Sequence, residues 1–265
     1  MYNFEYKKSL GQNFLKDKNI VNKIVDAISF EDNNLVIEIG QGSGVLTKEI
    51  LKKCDQALIY EIDTRLEKVL SKELIIYKNY KLIFEDFLKA DLKGDLKQYH
   101  YDHLYLIANL PYYITTPIMG KIIDDGINVE KVVIMIQKEV ADRFIAEVGS
   151  KEYGQITVFL NYFFNIDKVI NVNKNSFVPK PKVDSSVIRL IAKKDREELI
   201  SFEYFKKLIK DSFRFKRKTI RNNLKEYDLD IVNKVLNKYG LTLDTRSECI
   251  AYYVFVELSN ELCKE

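Results

Sequence analysis

The chain has 265 residues, of which 46% are hydrophobic and 31% charged, and its formal net charge is +3. This composition is that of a globular protein with room for one large domain and a smaller one, and it excludes disordered and collagen-like classes. No apolar run approaches the ~20 residues that a membrane-spanning helix needs, and the N-terminus lacks the layout of a signal peptide, which predicts a cytoplasmic protein without membrane contact.

Cysteine and histidine are the residues that could carry disulfide or metal chemistry. The three cysteines, Cys54, Cys249 and Cys263, are scattered without CxxC spacing, so we expect reduced thiols and no disulfide framework. The two histidines, His100 and His103, lie in a polar stretch with no cysteine nearby and no HExxH pattern. We therefore predict surface histidines and no metal site.

Short β-rich apolar runs alternate with helical patterns through the first half of the chain. The runs predicted as strands are Leu35–Ile39, Ala57–Tyr60, Lys81–Phe84, Tyr105–Ala108 and Val132–Ile136. Such alternation is typical of a parallel sheet built from βαβ units.

Two more apolar runs, 156–164 and 186–191, follow with little helix between them, and we predict an antiparallel pair at the end of the sheet. The fold class predicted from these patterns is α/β, a doubly wound sheet with one reversed edge strand.

The last part of the chain changes to charged helical patterns. Segments 202–227 and 230–239 are predicted helices, with Gly240 as the C-cap of the second. We place a domain boundary near Lys193, which gives a first domain of residues 1–193 and a small all-α domain of residues 194–265.

The first strand-to-helix turn of the predicted sheet is rich in glycine. Gly40, Gly42 and Gly44 follow Glu38 and precede a helical stretch, Val45–Leu51. Glycine lets the backbone turn sharply and approach a ligand closely. The spacing is G-x-G-x-G instead of the G-x-G-x-x-G of pyrophosphate binders, and an acid before it opposes a diphosphate, so a cationic amino-acid cofactor fits better. A tight turn without a ligand stays open as the alternative.

Polar side chains follow the next strands at the point where each strand ends. Glu61 comes seventeen residues after Gly44, close to the ~20-residue offset at which an acid binds ribose hydroxyls. Asp86 ends the third strand, where it could accept a hydrogen bond from an adenine amine, and Asn109 ends the fourth. The carboxyl ends of parallel strands are where open α/β sheets bind ligands, although one acid at a strand end is more often a cap or turn residue.

The segment Asn109–Tyr112 reads Asn-Leu-Pro-Tyr and directly follows a buried strand. Asn109 offers a side-chain acceptor, Leu110 a backbone acceptor and Tyr112 a ring for stacking, while Pro111 shapes the turn between them. These groups can hold a planar base by its exocyclic amine, and the absence of a general base among them suits methyl transfer to nitrogen. On these four residues alone, a plain proline-containing turn remains an equal alternative.

Cations are concentrated between Phe205 and Lys225, where nine Lys or Arg face one acid, Asp211. An aromatic residue interrupts the densest part, as a surface that follows a phosphate backbone would have it. A solvated helix face is the alternative. The residues that we predict to contact RNA are Arg214, Lys216, Arg217, Lys218 and Arg221.

With these motifs in view, the chain resembles the KsgA-type rRNA adenine N6-dimethyltransferases, S-adenosylmethionine enzymes that act on small-subunit rRNA. The resemblance covers nearly the whole chain and rests on the shared order and spacing of several motifs. Besides the glycine-rich turn, Glu61 and Asp86, these motifs are Lys8–Leu15, Asn109–Pro117, Gln137–Arg143, Lys151–Gly154 and Phe177–Leu190. Two departures stand out, because Gln41 replaces a small residue or Pro, and Tyr113–Thr115 replaces the commoner Asn-Ile-Ser.

The resemblance implies a Rossmann-like methyltransferase sheet with an antiparallel edge strand, plus a small helical rRNA-binding domain. It implies that Asn13 and Leu15 cover the S-adenosylmethionine and that Gly40 lies against its amino-acid portion. Glu61 would bind the ribose diol and Asp86 the adenine amine.

For the target, the resemblance implies that Asn109 lies near both cofactor and base, and that Tyr112 and Phe177 sandwich a flipped adenine. Without the resemblance Phe177 would be assigned to the core. The implied substrate is a pair of adjacent adenines in a hairpin near the 3′ end of small-subunit rRNA, in an immature 30S-type particle, and the implied oligomeric state is a monomer.

Three other functions remain open. A macrolide-resistance type dimethyltransferase of large-subunit rRNA shares fold and chemistry, but Leu10-Gly11 before Gln12-Asn13, and Leu110, argue against it. A non-catalytic rRNA-binding assembly factor would need the same RNA surface. A nicotinamide-dependent oxidoreductase would use the same kind of sheet, but this chain lacks the G-x-G-x-x-G spacing of such enzymes.

Overall fold

The structure, a computed structural model, describes residues 13–111 and 114–264. The described chain divides into two compact units. The first comprises the residues up to Ala141 together with Asp167–Ala192. The second comprises Asp142–Ile166 and the residues from Lys193 onwards.

In the first unit, parallel strands alternate with helices, as predicted. Seven described strands form one sheet: β2 (Asn34–Ile39), β3 (Gln56–Glu61), β4 (Tyr80–Phe84), β5 (His103–Asn109), β6 (Lys131–Gln137), β7 (Phe164–Val172) and β9 (Ser185–Ala192). Their order is β4-β3-β2-β5-β6-β9-β7, with β2 to β6 parallel and β9 antiparallel to β6. The α/β class with a reversed strand towards one edge is thereby confirmed. The strand order reverses at β2, and the crevice at such a reversal is where doubly wound sheets bind ligands.

A second, short ladder joins two distant parts of the chain. Strand β1 (Phe14–Leu15) pairs antiparallel with β8 (Phe177–Val178), with Leu15 opposite Phe177. Asp17 then caps the first helix by accepting the backbone N–H of Asn19 at 2.9 Å.

Helices cover the sheet because their apolar residues recur at helical spacing. The helices of this part are α1 (Lys18–Asp26), α2 (Val45–Leu51), α3 (Glu67–Glu73), α4 (Leu92–Leu96), α5 (Thr115–Asp124) and α6 (Lys138–Phe144). In α1 the buried residues are Ile20, Val21, Ile24 and Val25, one stripe facing the core. The bounds of α2 are those predicted from the sequence. No helix within the described ranges is long and apolar enough to cross a membrane.

The predicted strand over residues 156–164 is wrong, because this segment is helix α7 (Gln155–Phe163). A short apolar run does not distinguish a buried strand from a buried helix. Thr157, in the first turn of the helix, stabilises its start by accepting the Gly154 N–H at 3.1 Å and donating its hydroxyl to the Arg143 carbonyl at 2.6 Å. Val158 and Tyr162, one helical turn apart, enter the core of the second unit with Phe205. Because of this packing, residues 142–166 belong to the second unit. The single boundary expected near Lys193 would place them in the first domain.

The second unit otherwise contains α8 (Phe202–Ser212), α9 (Ile220–Asn223), α10 (Leu229–Lys238) and α11 (Tyr252–Cys263). A single helix over 202–227 is therefore wrong. Asn223 holds the break by donating its side-chain amide to the Ser212 carbonyl at 2.7 Å and accepting the Phe215 N–H at 3.1 Å. A continuous helix would also stack the like charges of residues 214–218 on one another. The C-cap of α10 is Tyr239, one residue before the predicted Gly240, and Gly240 follows it with φ +68°, the left-handed backbone usual just after a helix cap.

Candidate active site

One pocket opens at the carboxyl edge of the sheet in the first unit, with a volume of about 1370 Å³ including its solvent-open mouth. It gathers every described residue that the sequence assigned to the cofactor or the target base. These lining residues are Asn13, Leu15, Gly40, Glu61, Asp86, Asn109, Leu110, Pro111 and Phe177. Residues far apart in the chain thus share one site, although their individual roles stay predictions. Tyr112 lies outside the described residues.

The glycine-rich loop has a backbone that other residues do not adopt easily. Gly40, Gly42 and Gly44 have φ of +71°, +55° and +75°. The Gly40 N–H donates to the Tyr60 carbonyl at 2.8 Å, which ties the loop to β3. A Cβ on Gly42 would lie 2.7 Å from Phe14 Cδ1 and still closer to Cε1. Glycine is therefore required here both for the left-handed backbone and for the close approach of β1.

Glu61 ends β3 with its carboxylate held inside the pocket. Its Oε2 accepts the Gly42 N–H at 3.2 Å and its Oε1 accepts the Asp63 N–H at 2.9 Å. The side chain is only 5% exposed, and burial raises the pKa of the carboxyl, against the opposing effect of these two backbone donors. A buried carboxylate in this fixed orientation is suited to accept hydrogen bonds from a pair of hydroxyls.

Asp86 is half-buried two residues after β4. Its Oδ1 accepts the Leu88 N–H at 3.1 Å, and its carbonyl accepts the Lys89 N–H at 2.8 Å. These bonds fix the turn in which the carboxylate lines the pocket, as an acceptor for an amine.

The end of β5 presents acceptors without a basic side chain. Asn109 donates its Nδ2 to the Asn13 carbonyl at 3.3 Å, so its Oδ1 is the side-chain atom left for a ligand. Leu110 donates its N–H to the Met135 carbonyl at 3.1 Å, and the Pro111 carbonyl accepts the Ile114 N–H at 3.2 Å. The side-chain oxygen of Asn109 and the backbone of Leu110 are thereby positioned by neighbouring β6 and by the N-terminal segment.

Phe177 combines two environments. Its side chain is 3% exposed and belongs to the core cluster that also holds Leu15, its partner across the β1–β8 ladder. It nevertheless lines the pocket. Both the packing role read from the sequence and the base-stacking role implied by the resemblance are compatible with this position.

Two further polar residues of the pocket, Glu38 and Gln41, are buried and were given no site role from the sequence. Glu38 is 1% exposed; its Oε1 accepts the Thr47 hydroxyl at 3.1 Å, and its Oε2 has no partner among the described residues. Burial raises the pKa of this carboxyl to about 8. Gln41 is 5% exposed, and neither its Oε1 nor its Nε2 has a described partner. The sequence signal for both was present, as an acid before the glycines and as a departure from the family's pattern, whereas nothing in the sequence marked Thr47.

In the second unit, Arg214–Lys218 form an exposed loop between α8 and α9, which we call the basic loop. The Arg214 guanidinium lies 5.4 Å from the centroid of the Phe215 ring, which is 51% exposed. Within the described chain, Lys216, Arg217 and Lys218 have no acidic partner within ion-pair distance. Among the predicted RNA contacts, Arg221 is partly neutralised, since its Nε lies 3.7 Å from Asp244.

The histidines differ from each other. His100 is exposed, but His103 is the half-buried first residue of β5 and not a loop residue, which corrects the sequence interpretation. Its Nδ1 lies 3.0 Å from Glu130, and its Nε2 lies 3.6 Å from Glu31. These three side chains could hold a metal ion, but Lys131 Nζ already lies 3.1 Å from Glu31 and supplies a cation there.

The comparison with known proteins places this site in a family. Residues 3–264 match the profile of the family described as ribosomal RNA adenine dimethylase. A protein of Anoxybacillus flavithermus named Ribosomal RNA small subunit methyltransferase A is 40% identical, covering 98% of this chain and 92% of that protein. Its namesake in Bacillus mycoides is 38% identical with the same coverage. The chain belongs to the ribosomal RNA adenine dimethylase family.

Two solved structures share the fold. A dimethyladenosine transferase from Plasmodium falciparum has a TM-score of 0.76 and 29% identity, covering 92% of this chain and 95% of that one. The 23S rRNA methyltransferase ErmE also has a TM-score of 0.76, with 25% identity and coverage of 94% and 99%. The predicted class of enzyme, a methyltransferase with S-adenosylmethionine as methyl donor, is confirmed by the family.

Proposed function

We propose that this protein dimethylates N6 of two adjacent adenines in a hairpin near the 3′ end of small-subunit rRNA, and so takes part in small-subunit biogenesis. The observation that carries the proposal is the convergence of Gly40, Glu61, Asp86 and Asn109 on one pocket at the carboxyl edge of the sheet. The two relatives described above, which are 40% and 38% identical to this chain, are both named small subunit methyltransferases.

The residues of the pocket fit S-adenosylmethionine, which supplies an electrophilic methyl group on a positively charged sulfur. Glu61 accepts hydrogen bonds from the ribose hydroxyls and Asp86 from the adenine amine. Gly40 allows the amino-acid end to approach the backbone closely because it carries no side chain. Asn13 and Leu15 cover the pocket and exclude water from it. The unpartnered buried oxygen of Glu38 also fits a ligand that carries a positive charge.

The target amine needs positioning more than deprotonation. The lone pair of adenine N6 is delocalised into the ring, so N6 is a poor nucleophile. Asn109 Oδ1 and the Leu110 carbonyl oxygen accept hydrogen bonds from the two N6–H groups, which favours a pyramidal nitrogen with a localised lone pair. As the new N–C bond forms, the bond between sulfur and the methyl carbon would break and leave its electron pair on sulfur, and the N6 proton would then be lost to water, which is why the site needs no general base. Tyr112 and Phe177 would hold the ring of the flipped base between them.

The second unit supplies sequence-independent affinity for RNA. The exposed cations of the basic loop, together with Arg221, contact phosphates and orient the substrate, while the pocket selects the base. We further propose that the substrate is rRNA in an immature 30S-type particle, that the protein acts as a monomer, and that it works in the cytoplasm.

One alternative has an observation in its favour. The 23S rRNA methyltransferase ErmE matches the fold with the same TM-score as the dimethyladenosine transferase, so fold similarity alone does not distinguish the two substrates. The higher identity to small subunit methyltransferases favours the small subunit. A non-catalytic assembly factor has less support, because the acceptors for a base amine are all present in the described pocket.

The test is transfer of labelled methyl from S-adenosylmethionine to under-methylated small subunits and, in parallel, to large subunits, followed by nucleoside analysis. We expect N6,N6-dimethyladenosine in small-subunit RNA only, and none with the Asn109→Ala variant. Label in large-subunit RNA alone would assign the protein to the resistance type. No label with either subunit, together with subunit maturation supported by Asn109→Ala, would favour the assembly factor.

A further inference from the structure

The carboxamide of Gln41 is buried in the pocket without a hydrogen-bond partner. Both of its polar atoms lack a partner among the described residues, and the side chain is 5% exposed. Buried polar groups in proteins are nearly always paired, and an exception calls for an explanation. Of the buried unpartnered side-chain atoms described in the first unit, only Thr115 Oγ1 belongs to a residue outside the pocket lining. The exceptions thus concentrate where a ligand is expected.

The neighbours of Gln41 place its backbone at one end of the pocket. A Cβ on Gly40 would lie 4.0 Å from the Asn109 carbonyl oxygen, so this part of the loop adjoins the end of β5. On the other side, the backbone N–H of Gly42 donates a hydrogen bond to the carboxylate of Glu61. Gln41 therefore lies between Glu61, which is predicted to bind the ribose, and Asn109, next to which methyl transfer is expected. The part of the methyl donor that starts from that region is its amino-acid end.

The polar atoms of this end of the pocket complement an α-amino acid. Glu38 Oε2 offers an unpartnered acceptor that favours a cation, and Gln41 Nε2 offers an unpartnered donor that favours an anion. An ammonium and a carboxylate on the same carbon satisfy both. Burial raises the pKa of the Glu38 carboxyl, and an ammonium beside it would lower that pKa again by stabilising the carboxylate.

We propose that Gln41 is a cofactor-binding residue whose side-chain amide donates to the α-carboxylate of S-adenosylmethionine. This inference rests on the proposed function. It assigns a use to a residue that departs from the small residue or proline that the resemblance implies at this position.

The test is calorimetric titration of the full-length protein, without RNA, with S-adenosylmethionine and with decarboxylated S-adenosylmethionine. Gln41→Met keeps the length of the side chain and removes the amide. We expect this variant to bind S-adenosylmethionine about tenfold more weakly, since a hydrogen bond to a charged group is lost, and to bind the decarboxylated ligand within twofold of the wild type. Gln98→Met makes the same change at an exposed residue and should alter neither affinity.

Thermal unfolding without ligand gives a second readout. An unpartnered buried amide destabilises the ligand-free protein, so Gln41→Met should keep or raise the melting temperature while it weakens cofactor binding. A structural role for Gln41 predicts a lower melting temperature instead.

Equal weakening of both ligands, or of neither, would overturn the assignment to the carboxylate. Failure of the wild type to bind S-adenosylmethionine at all would count against the proposed function and not against Gln41 in particular.

Discussion

At the scale of single residues, Gly42 shows how strongly the site depends on an absent side chain. Its φ of +55° lies in the left-handed region, and a Cβ would overlap the Phe14 ring of β1. Its N–H also orients Glu61. One residue therefore links the shape of the loop, the covering segment and the predicted ribose ligand.

We predict that Gly42→Ala weakens S-adenosylmethionine binding by at least tenfold, because the added Cβ displaces Phe14 and the loop. Gly126→Ala is the matched control, since Gly126 has φ +63° but no atom within 4 Å of the added Cβ. Both variants should lose about 1–2 kcal/mol of stability to the left-handed backbone. Calorimetric titration and denaturant unfolding measure the two effects, and equal ligand affinities for the two variants would contradict the role given to Phe14.

The residues of the site could be predicted to different extents. Glu61, Asp86 and Asn109 were identified because polar residues at strand ends carry their own signal. Phe14 lies within the Lys8–Leu15 motif, but nothing in that motif predicts its contact with Gly42, because the position of its ring depends on the β1–β8 pairing of segments far apart in the chain. Periodicity and spacing report local structure, and they contain no information about such a contact.

At the scale of secondary-structure elements, the interruption between α8 and α9 is the feature that sequence patterning missed. The charged pattern of 202–227 fits a helix throughout, but the side chain of Asn223 stabilises the break. The parallel strands were predicted well because long buried runs bounded by turns are a strong signal. The consequence of the break is that four cations lie on an exposed loop instead of crowding the face of a continuous helix.

We predict that replacing Arg214, Arg217 and Lys218 together by Gln weakens rRNA binding and flattens its salt dependence. Each lost phosphate contact changes the slope of log K against log salt by about 0.7 to 0.9, so three contacts change it by about 2 to 3. Cofactor affinity should stay unchanged, since the pocket lies in the other unit. Filter-binding titrations at several salt concentrations measure the slope.

The matched control for this experiment is the replacement of Lys68, Lys72 and Lys78 by Gln. These exposed residues of the first unit give the same change in net charge. A slope that changes equally in both triple variants would mean that overall charge, and not the basic loop, governs binding.

At the scale of the whole molecule, a group of charged side chains joins segments that are far apart in the sequence, near the starts of three strands. His103 begins β5, while Glu130 precedes β6 and Glu31 precedes β2. The hydrogen bond to Glu130 is the main reason why the pKa of His103 is raised above its ordinary value of about 6.5. A raised folded-state pKa stabilises the protein when the histidine is protonated, and this contribution is lost as the pH rises through that pKa.

We predict that His103→Gln lowers the melting temperature at pH 6 and that the difference from the wild type shrinks towards pH 8.5. His100→Gln is the matched control, because it replaces an exposed histidine three residues earlier that takes no part in the contacts with Glu31 and Glu130. Thermal unfolding over this pH range measures both. A constant difference across the range would mean that His103 acts through packing on Tyr105 and not through its charge.

The pairing of β1 with β8 has a consequence for the synthesis of the protein. Asn13–Leu15 form one wall of the pocket, and Phe14 and Leu15 are held there by their pairing with Phe177–Val178. Phe177–Val178 leave the ribosome much later than this wall. A nascent chain that has already made its glycine-rich loop, Glu61, Asp86 and Asn109 still lacks the strand that holds this wall in place. We therefore expect full cofactor affinity only after Phe177–Val178 have left the ribosome and paired with β1.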